Sequence, residues 1–131
     1  MKLDGYSIYS DFSQKAKNVK TKLNQFLEKA QLEGKSTVCY GAPAKGNTLL
    51  NFCEIKTEQI KYTVDRSPHK QGLFLPGSHL PIKSPKNILE TKPDYIIILA
   101  WNLKDEIMEQ MKDVRAWGCK FVVPIPELKI Y

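Results

Sequence analysis

At 131 residues, with 42% hydrophobic and 26% charged residues, the chain has the size and composition of one globular domain. No apolar run approaches the ~20 residues of a membrane span, and the N-terminus has no signal-peptide core; this predicts a cytoplasmic protein with no membrane partner. The net charge of +6 comes from lysines scattered among acids, which indicates attraction to anionic ligands rather than a nucleic-acid partner. Cys39, Cys53 and Cys119 lack metal-ligand spacing, and we expect them to be reduced in the core.

The first element in the chain is an amphipathic helix. Apolar residues recur at helical spacing from Phe12 to Ala30, which predicts a helix from Asp11 to about Glu33. Asp11 and Gln14 are placed as its N-cap and N3 residues, and Gly34 ends it. We therefore divide the domain into a leading helical segment, 1–34, and a core, 35–131.

The core alternates predicted strands with predicted helices. The strands are expected at 36–40, 59–64, 80–82, 95–100 and 119–123, and the helices at 47–54, 85–91 and 102–117, the last capped by Asn102 and closed by Gly118. Residues 66–79 hold two prolines and two glycines and are expected to be irregular.

This alternation predicts a single α/β domain spanning residues 1–131. We expect a small Rossmann-like fold with a mainly parallel sheet of about five strands, helices on both faces and the extra N-terminal helix. Ligands of such sheets bind at the carboxyl ends of the strands. Four segments meet at that edge, namely 41–47, 65–79, 101–102 and 124–127, and they are the segments richest in polar residues, glycine and proline.

The loop after the first strand is typical of a phosphate-binding turn. Gly41 and Gly46 bound it, Lys45 adds a cation, and the N–H groups at the start of the next helix are free to bind an anion. It matches neither standard motif, because Asn47 stands where a P-loop has lysine and Pro43 replaces the second glycine of the dinucleotide motif. A tight turn without a ligand remains the alternative.

Four ordered motifs cover nearly the whole chain from about Phe12 onward. They are Tyr40-Gly41-Ala42-x-x-Lys45-Gly46-Asn47-Thr48-Leu49-Leu50-Asn51; Val64-Asp65-Arg66-Ser67-Pro68-x-Lys70-Gln71-Gly72 with Pro76-Gly77-x-His79-x-Pro81-Ile82; Trp101-Asn102-Leu103-Lys104-Asp105-Glu106-Ile107; and Trp117-Gly118-x-Lys120-Phe121-Val122-Val123-Pro124-Ile125-Pro126. Together they resemble the C-terminal domain of S-adenosylmethionine-dependent sugar C-methyltransferases.

The resemblance implies a specific division of labour. In those enzymes an N-terminal region binds zinc, a central domain binds S-adenosylmethionine and carries out proton abstraction and methyl transfer, and the C-terminal domain helps hold the nucleotide-linked keto-sugar. The cofactors and the catalytic residues are therefore expected in domains outside this chain, which we do not expect to methylate anything alone. Its expected partners are a nucleotide-linked sugar, such as a dTDP-sugar, and the central domain.

The candidate substrate-binding residues follow from the loop, the strand ends and the motifs. They are Gly41, Ala42, Lys45, Gly46, Asn47, Thr48, Asp65, Arg66, Lys70, His79, Trp101 and Asn102. For several of these a structural role is the alternative: Thr48 facing the sheet, Arg66 in a surface ion pair, and Trp101 in packing. We assign neither a catalytic residue nor a metal ligand.

Three functions are consistent with these residues. The first is a domain that positions a nucleotide-sugar for a C-methyltransferase. The second is a docking module that stabilises the central domain without binding ligand. The third, an NAD-binding oxidoreductase fragment, is disfavoured by Pro43.

Overall fold

A computed structural model describes the backbone of residues 2–131 and the side chains of residues 16–131. The helices are α1 (Lys2–Leu32), α2 (Ala44–Phe52), α3 (Lys86–Thr91) and α4 (Lys104–Gln110). The strands are β1 (Thr37–Tyr40), β2 (Thr63–Val64), β3 (Ile82–Lys83), β4 (Tyr95–Ile98), β5 (Lys120–Val123) and β6 (Lys129–Ile130).

The strands form one sheet in the order β3-β2-β1-β4-β5-β6. All neighbouring pairs are parallel except β5 and β6, which are antiparallel. The mixed α/β, mainly parallel architecture is therefore confirmed, with β6 as an additional strand that the sequence did not predict. Strand order reverses between β1 and β4, and this reversal opens a crevice at the carboxyl edge.

Two apolar clusters lie on the two faces of the sheet. On one face, Leu23 and Leu27 of α1 and Leu50 of α2 pack against Cys39 and Ile97. The other cluster contains residues from α3, from α4 and from the position just after it, together with strand residues of alternate register: Ile88, Ile107, Met111, Val38, Ile96 and Ile98. Successive residues of β1 and β4 thus enter opposite clusters, which explains why these strands are apolar throughout.

The start of α1 differs from the prediction. The helix begins at Lys2, so Asp11 lies inside it and is not its N-cap. The segment before Asp11 contains no proline, and extending an existing helix costs far less than starting one. Of the apolar residues that predicted this helix, Phe12 lies outside the described side chains, whereas Val19 is buried and Phe26 packs edge-to-face on Tyr95.

The region after β4 also differs from the prediction. A short 3₁₀ turn at Trp101–Leu103 precedes α4, and neither start has a side-chain cap, so the capping role of Asn102 is wrong. The amide of Leu103 instead donates to the Ala100 carbonyl and tightens this turn. A second 3₁₀ stretch ends at Gly118, whose φ of 85° confirms it as the terminating residue.

Among the described residues, no helix is both long enough and apolar enough to cross a membrane. The three cysteines are free and buried, as expected. Burial raises the pKa of the Cys53 thiol to about 11 and that of the Cys119 thiol to about 12. Such thiols remain protonated and unreactive at neutral pH.

The buried thiols predict an alkaline loss of stability. The pKa of Cys53 in the folded chain lies above its unfolded value near 9.0. The contribution of this thiol to the free energy of unfolding is therefore fully present below pH 9 and declines as the pH rises towards 11. This thiol should lower the unfolding free energy by about 1.4 kcal/mol per pH unit in that window, about 2 kcal/mol by pH ~10.5. Urea denaturation of the parent chain and of Cys53→Ala across this range would measure the difference in slope, and parallel slopes would contradict it.

Candidate functional site

The loop after β1 is hydrogen-bonded to the residues of β2. Gly41 has a φ of 103°, a conformation that favours glycine. Its N–H donates to the Val64 carbonyl at 2.6 Å, and its carbonyl accepts from the buried Thr63 hydroxyl at 2.6 Å. The turn is thereby held in one position before α2 begins.

The first turn of α2 offers backbone donors to solvent. The first internal bond of this turn runs from the Asn47 N–H to the Pro43 carbonyl. Within the described part of the chain, the N–H groups of Ala44, Lys45 and Gly46 have no acceptor, and the helix start has no side-chain cap. The Lys45 side chain is exposed beside them. Unpaired N–H groups and a cation at the positive end of a helix are suited to binding an anion such as a diphosphate.

Gly46 allows α2 to approach β4 closely. A Cβ atom at this position would lie 2.8 Å from the Leu99 Cβ and 3.3 Å from the Pro43 ring. Gly41 and Gly46 therefore fulfil the turn and packing roles of the first and third glycines of a dinucleotide motif, although Pro43 occupies the second position.

Asp65, at the end of β2, joins two loops. Its Oδ2 accepts from the Ala42 N–H at 3.0 Å, and its Oδ1 accepts from the Ser67 N–H at 2.9 Å. The Lys70 ammonium lies 4.0 Å from the same Oδ2 and donates to the Ala42 carbonyl at 3.2 Å. Asp65 and Lys70 thus organise the loop around the start of α2, and Lys70 adds a second cation there.

A cavity of about 170 Å³ opens at the point where strand order reverses. The carboxyl ends of β1 and β2 line one side, and the segment from Ala100 through α4 lines the other. The lining residues are Tyr40, Gly41, Asp65, Arg66, Ala100, Leu103, Glu106, Ile107 and Gln110. Three of them, Gly41, Asp65 and Arg66, were predicted site residues.

The other cavity residues were missed by the sequence analysis. Leu103 and Ile107 lie four residues apart in the predicted helix 102–117, as do Glu106 and Gln110 beside them, and none of the four was named as a site residue. Their spacing could have shown that they lie on one face of the helix, since helical residues four apart are neighbours on its surface. Only the position of α4 against the sheet shows that this face meets the ends of β1 and β2.

Tyr40 links the strand end to α4. Its hydroxyl donates to the Gln110 Oε1 at 3.3 Å. Burial raises the pKa of Tyr40, the nearby Arg66 charge opposes this increase and the Asp65 charge adds to it. The phenol at the border of the cavity is therefore neutral, and its hydroxyl is the donor to the Gln110 side-chain oxygen.

The remaining predicted residues divide between this site and other places. Asn47 lies in the first turns of α2, and its Oδ1 is buried without a hydrogen-bond partner among the described residues. Thr48 is exposed rather than facing the sheet, and its hydroxyl donates to the Ala44 carbonyl. Trp101 packs partly buried against the cluster that contains α4, whereas Asn102 is exposed.

His79 lies at the opposite edge of the sheet. The segment Leu73 to Leu75 runs antiparallel to Leu80 to Ile82, because the amide of Ile82 donates to Leu73 and the amide of Leu75 donates to Leu80. The turn that contains His79 therefore precedes β3 at the amino edge. The long loop divides into residues 66–72, which stay near Asp65, and a hairpin that leads away from it.

Comparisons with known proteins agree on one family. The family of C-methyltransferase C-terminal domains matches residues 1–126. The chain is 36% identical over 122 residues to the C-methyltransferase NovU of Streptomyces niveus; the match covers 93% of this chain and 29% of that protein. The chain thus spans less than a third of the length of this relative.

A solved structure shares the fold. The UDP-D-quinovosamine 4-dehydrogenase of Vibrio fischeri aligns with a TM-score of 0.51 at 18% identity, over 74% of this chain and 93% of that chain. This likeness concerns the Rossmann-type architecture alone. The family match and the identity to NovU lead to the conclusion that the chain belongs to the C-methyltransferase C-terminal domain family.

Proposed function

We propose that this domain binds a nucleotide-linked keto-sugar, such as a dTDP-sugar, and positions it for methylation by a separate central domain. One observation carries the proposal: the unpaired N–H groups at the start of α2 open at the same edge of the sheet as the cavity between β1, β2 and α4. The diphosphate would lie against the first group and the nucleoside near the second. The sugar would then project beyond the edge.

The contribution of this domain to the reaction is positioning. Fixing a substrate in a near-attack geometry lowers a reaction barrier substantially without any chemical step in the positioning domain. Ala44, Lys45 and Gly46 would hold the diphosphate, and Lys70 would add positive charge behind them. Proton abstraction and methyl transfer belong to the central domain in this proposal.

The cofactors of the reaction are proposed to bind outside this chain. Zinc is bound by thiolates, imidazoles and carboxylates in close groups. Among the side chains that are described, no three such groups are clustered, and the cysteines are buried with raised pKa values. The residues here do not fit a zinc site, and we assign zinc and S-adenosylmethionine to the other domains.

Removal of the Lys45 charge tests the binding proposal. Lys45→Ala should weaken dTDP binding by about 1.5–3 kcal/mol, roughly 10- to 150-fold, because a charge-assisted contact is lost. Calorimetry would measure the affinity, and amide shifts should map to residues 41–48 and 65–72. Lys61→Ala removes an equal charge at the amino edge, before β2, and should leave the affinity unchanged. If saturating dTDP shifted the amide signals of neither loop, the proposal would be contradicted.

A docking role is favoured by one surface feature. Leu73 and Phe74 are 56% and 63% exposed on the hairpin beside β3, at one end of the sheet. Exposed neighbouring apolar side chains are typical of protein contact sites. A docking module would associate with the central domain in trans, would not respond to nucleotide, and would not be altered by Lys45→Ala.

A further inference from the structure

We propose that the outer strand of the hairpin beside β3 pairs with the same strand of a second copy of this chain, giving a two-fold dimer. This strand, Leu73-Phe74-Leu75, is the hairpin edge. The inference goes beyond the proposed function, because it assigns to a second copy the surface that a docking module would offer to the central domain. If it fails, nucleotide binding by the domain is unaffected.

The hairpin edge leaves one backbone position open for pairing. Phe74 lies opposite Pro81 in the antiparallel hairpin. The hydrogen bonds to the inner strand are made by its neighbours, Leu73 and Leu75. At such a position the N–H and the carbonyl of Phe74 point away from the inner strand. Within the part of the chain that the structure describes, neither group has a hydrogen-bond partner.

Pairing at this edge cannot extend beyond a few residues. On one side a β-bulge ends the strand, since the Gly72 N–H donates to the Ile82 carbonyl and the Ile82 N–H donates to the Leu73 carbonyl, each at 2.8 Å. On the other side Pro76 has no N–H, and its carbonyl accepts from the Asn51 amide at 3.2 Å. The free backbone groups are therefore confined to the centre of the hairpin edge.

A two-fold axis beside Phe74 satisfies both of its backbone groups. In an antiparallel pair of hairpin edges, the Phe74 N–H of each chain donates to the Phe74 carbonyl of the other. Such an interface uses the same surface on both chains, as most dimers do. It also leaves no free backbone group at the hairpin edge, so the assembly closes at two chains.

Apolar side chains accompany the open backbone position. Leu73 and Phe74 are each more than half exposed. Helix α2, which contacts the hairpin through Asn51 and Pro76, adds the exposed ring of Phe52. Across the two-fold axis the two Phe74 rings lie opposite each other, and cross-strand aromatic pairs stabilise sheets.

The distribution of charge favours a second copy as the partner. Neither residues 46–53 of the α2 region nor residues 71–78 of the hairpin include a charged side chain, although 26% of the chain is charged. Lys20 and Lys56, which border this surface, make a salt bridge and a hydrogen bond within the chain. A net charge of +6 opposes self-association, and the repulsion is smallest where two uncharged surfaces meet.

The opposite edge of the sheet is less suited to such pairing. Strand β6 carries Lys129, and the Lys104 ammonium lies 5.1 Å from the centre of the Tyr131 ring. Lysine on an edge strand opposes pairing with another chain. Of the two edges, the hairpin edge is therefore the one that accepts a second copy.

Amide hydrogen exchange at two concentrations tests the pairing. Because a small interface is weak, sedimentation of the whole chain should show a monomer at about 10 μM and a dimer at about 1 mM. The Phe74 amide should exchange about 10-fold more slowly at the higher concentration. The Leu75 amide, which donates within the hairpin, should be protected at both. A monomer at about 1 mM, or a dimer in which Phe74 exchanges freely, would overturn the proposal.

Matched substitutions identify which edge is the interface. Phe74→Lys places like charges across the two-fold axis and should weaken dimerisation about 10-fold or more. Since Phe74 is exposed, the variant should fold normally, as circular dichroism would verify. Ile130→Lys makes the same kind of change at an exposed residue of β6 and should leave dimerisation unchanged. A dimer that persists in Phe74→Lys would show that the hairpin edge is not the interface.

Discussion

Replacement of Asp65 by alanine is expected to lower the free energy of unfolding by about 3 kcal/mol and to abolish nucleotide-dependent shifts in the loop after β1. The variant leaves the N–H groups of Ala42 and Ser67 without their carboxylate acceptor and removes the counter-charge of Lys70. A hydrogen bond to a charged group contributes about 1.5–3 kcal/mol, and the partial exposure of the site limits the sum. Urea denaturation and dTDP titration of the same variant would measure both effects.

An isosteric variant separates the contribution of charge from that of shape. Asp65→Asn keeps one oxygen acceptor but directs an NH₂ group at the second N–H, so its stability should fall between those of the parent chain and Asp65→Ala. Asp113→Ala, which removes an exposed acid from the last 3₁₀ stretch, should have little effect. If Asp65→Ala were as stable as the parent chain, Asp65 would not be the residue that joins these loops.

Gly46→Val is expected to destabilise the domain by about 3 kcal/mol and to weaken nucleotide binding. The added Cβ would lie 2.8 Å from the Leu99 Cβ, an atom fixed on the chain just after β4 that cannot rotate away. Helix α2 must therefore move from the sheet, which costs about 1–3 kcal/mol or more in a packed core. The same movement displaces the N–H groups of the first turn. Thermal denaturation would detect the loss of stability, and dTDP titration would detect the loss of binding.

A substitution one half-turn away serves as the control. Ala44→Val adds bulk at an exposed position of the same first turn, with a small change in helix propensity, so its stability should stay within about 0.5 kcal/mol of the parent chain. Equal stability of Gly46→Val and Ala44→Val would show that α2 accommodates a side chain at 46, and the packing role of this glycine would be wrong.

The central strands and the loop could be predicted because their signals are local. Residues 37–40 and 95–98 are apolar on both faces, which is typical of buried parallel strands, and both were placed within a few residues. Gly41 and Gly46 identified the turn before α2. Strands β2, β3 and β6 have only two residues each, and so short a segment has no measurable periodicity.

Two features of the structure were not predicted, for different physical reasons. Helix α1 begins before Asp11 because extending a helix needs no cap where the chain contains no proline. His79 lies away from the site because hydrogen bonds between residues 73–75 and 80–82 form a hairpin. No local pattern indicates how far a loop rich in glycine and proline runs before it turns back.

The sequence by itself determined the α/β class, the family and the edge of the sheet to which the glycine loop belongs. Each depends on residues that are neighbours in the chain or on strands that all run in one direction. The tertiary structure alone decided that Tyr40, Arg66, Leu103, Glu106 and Gln110 share a cavity. That grouping depends on the rotation of α4 about its axis and its packing on the ends of β1 and β2, and contacts between residues so far apart in the chain form only when the whole core is assembled.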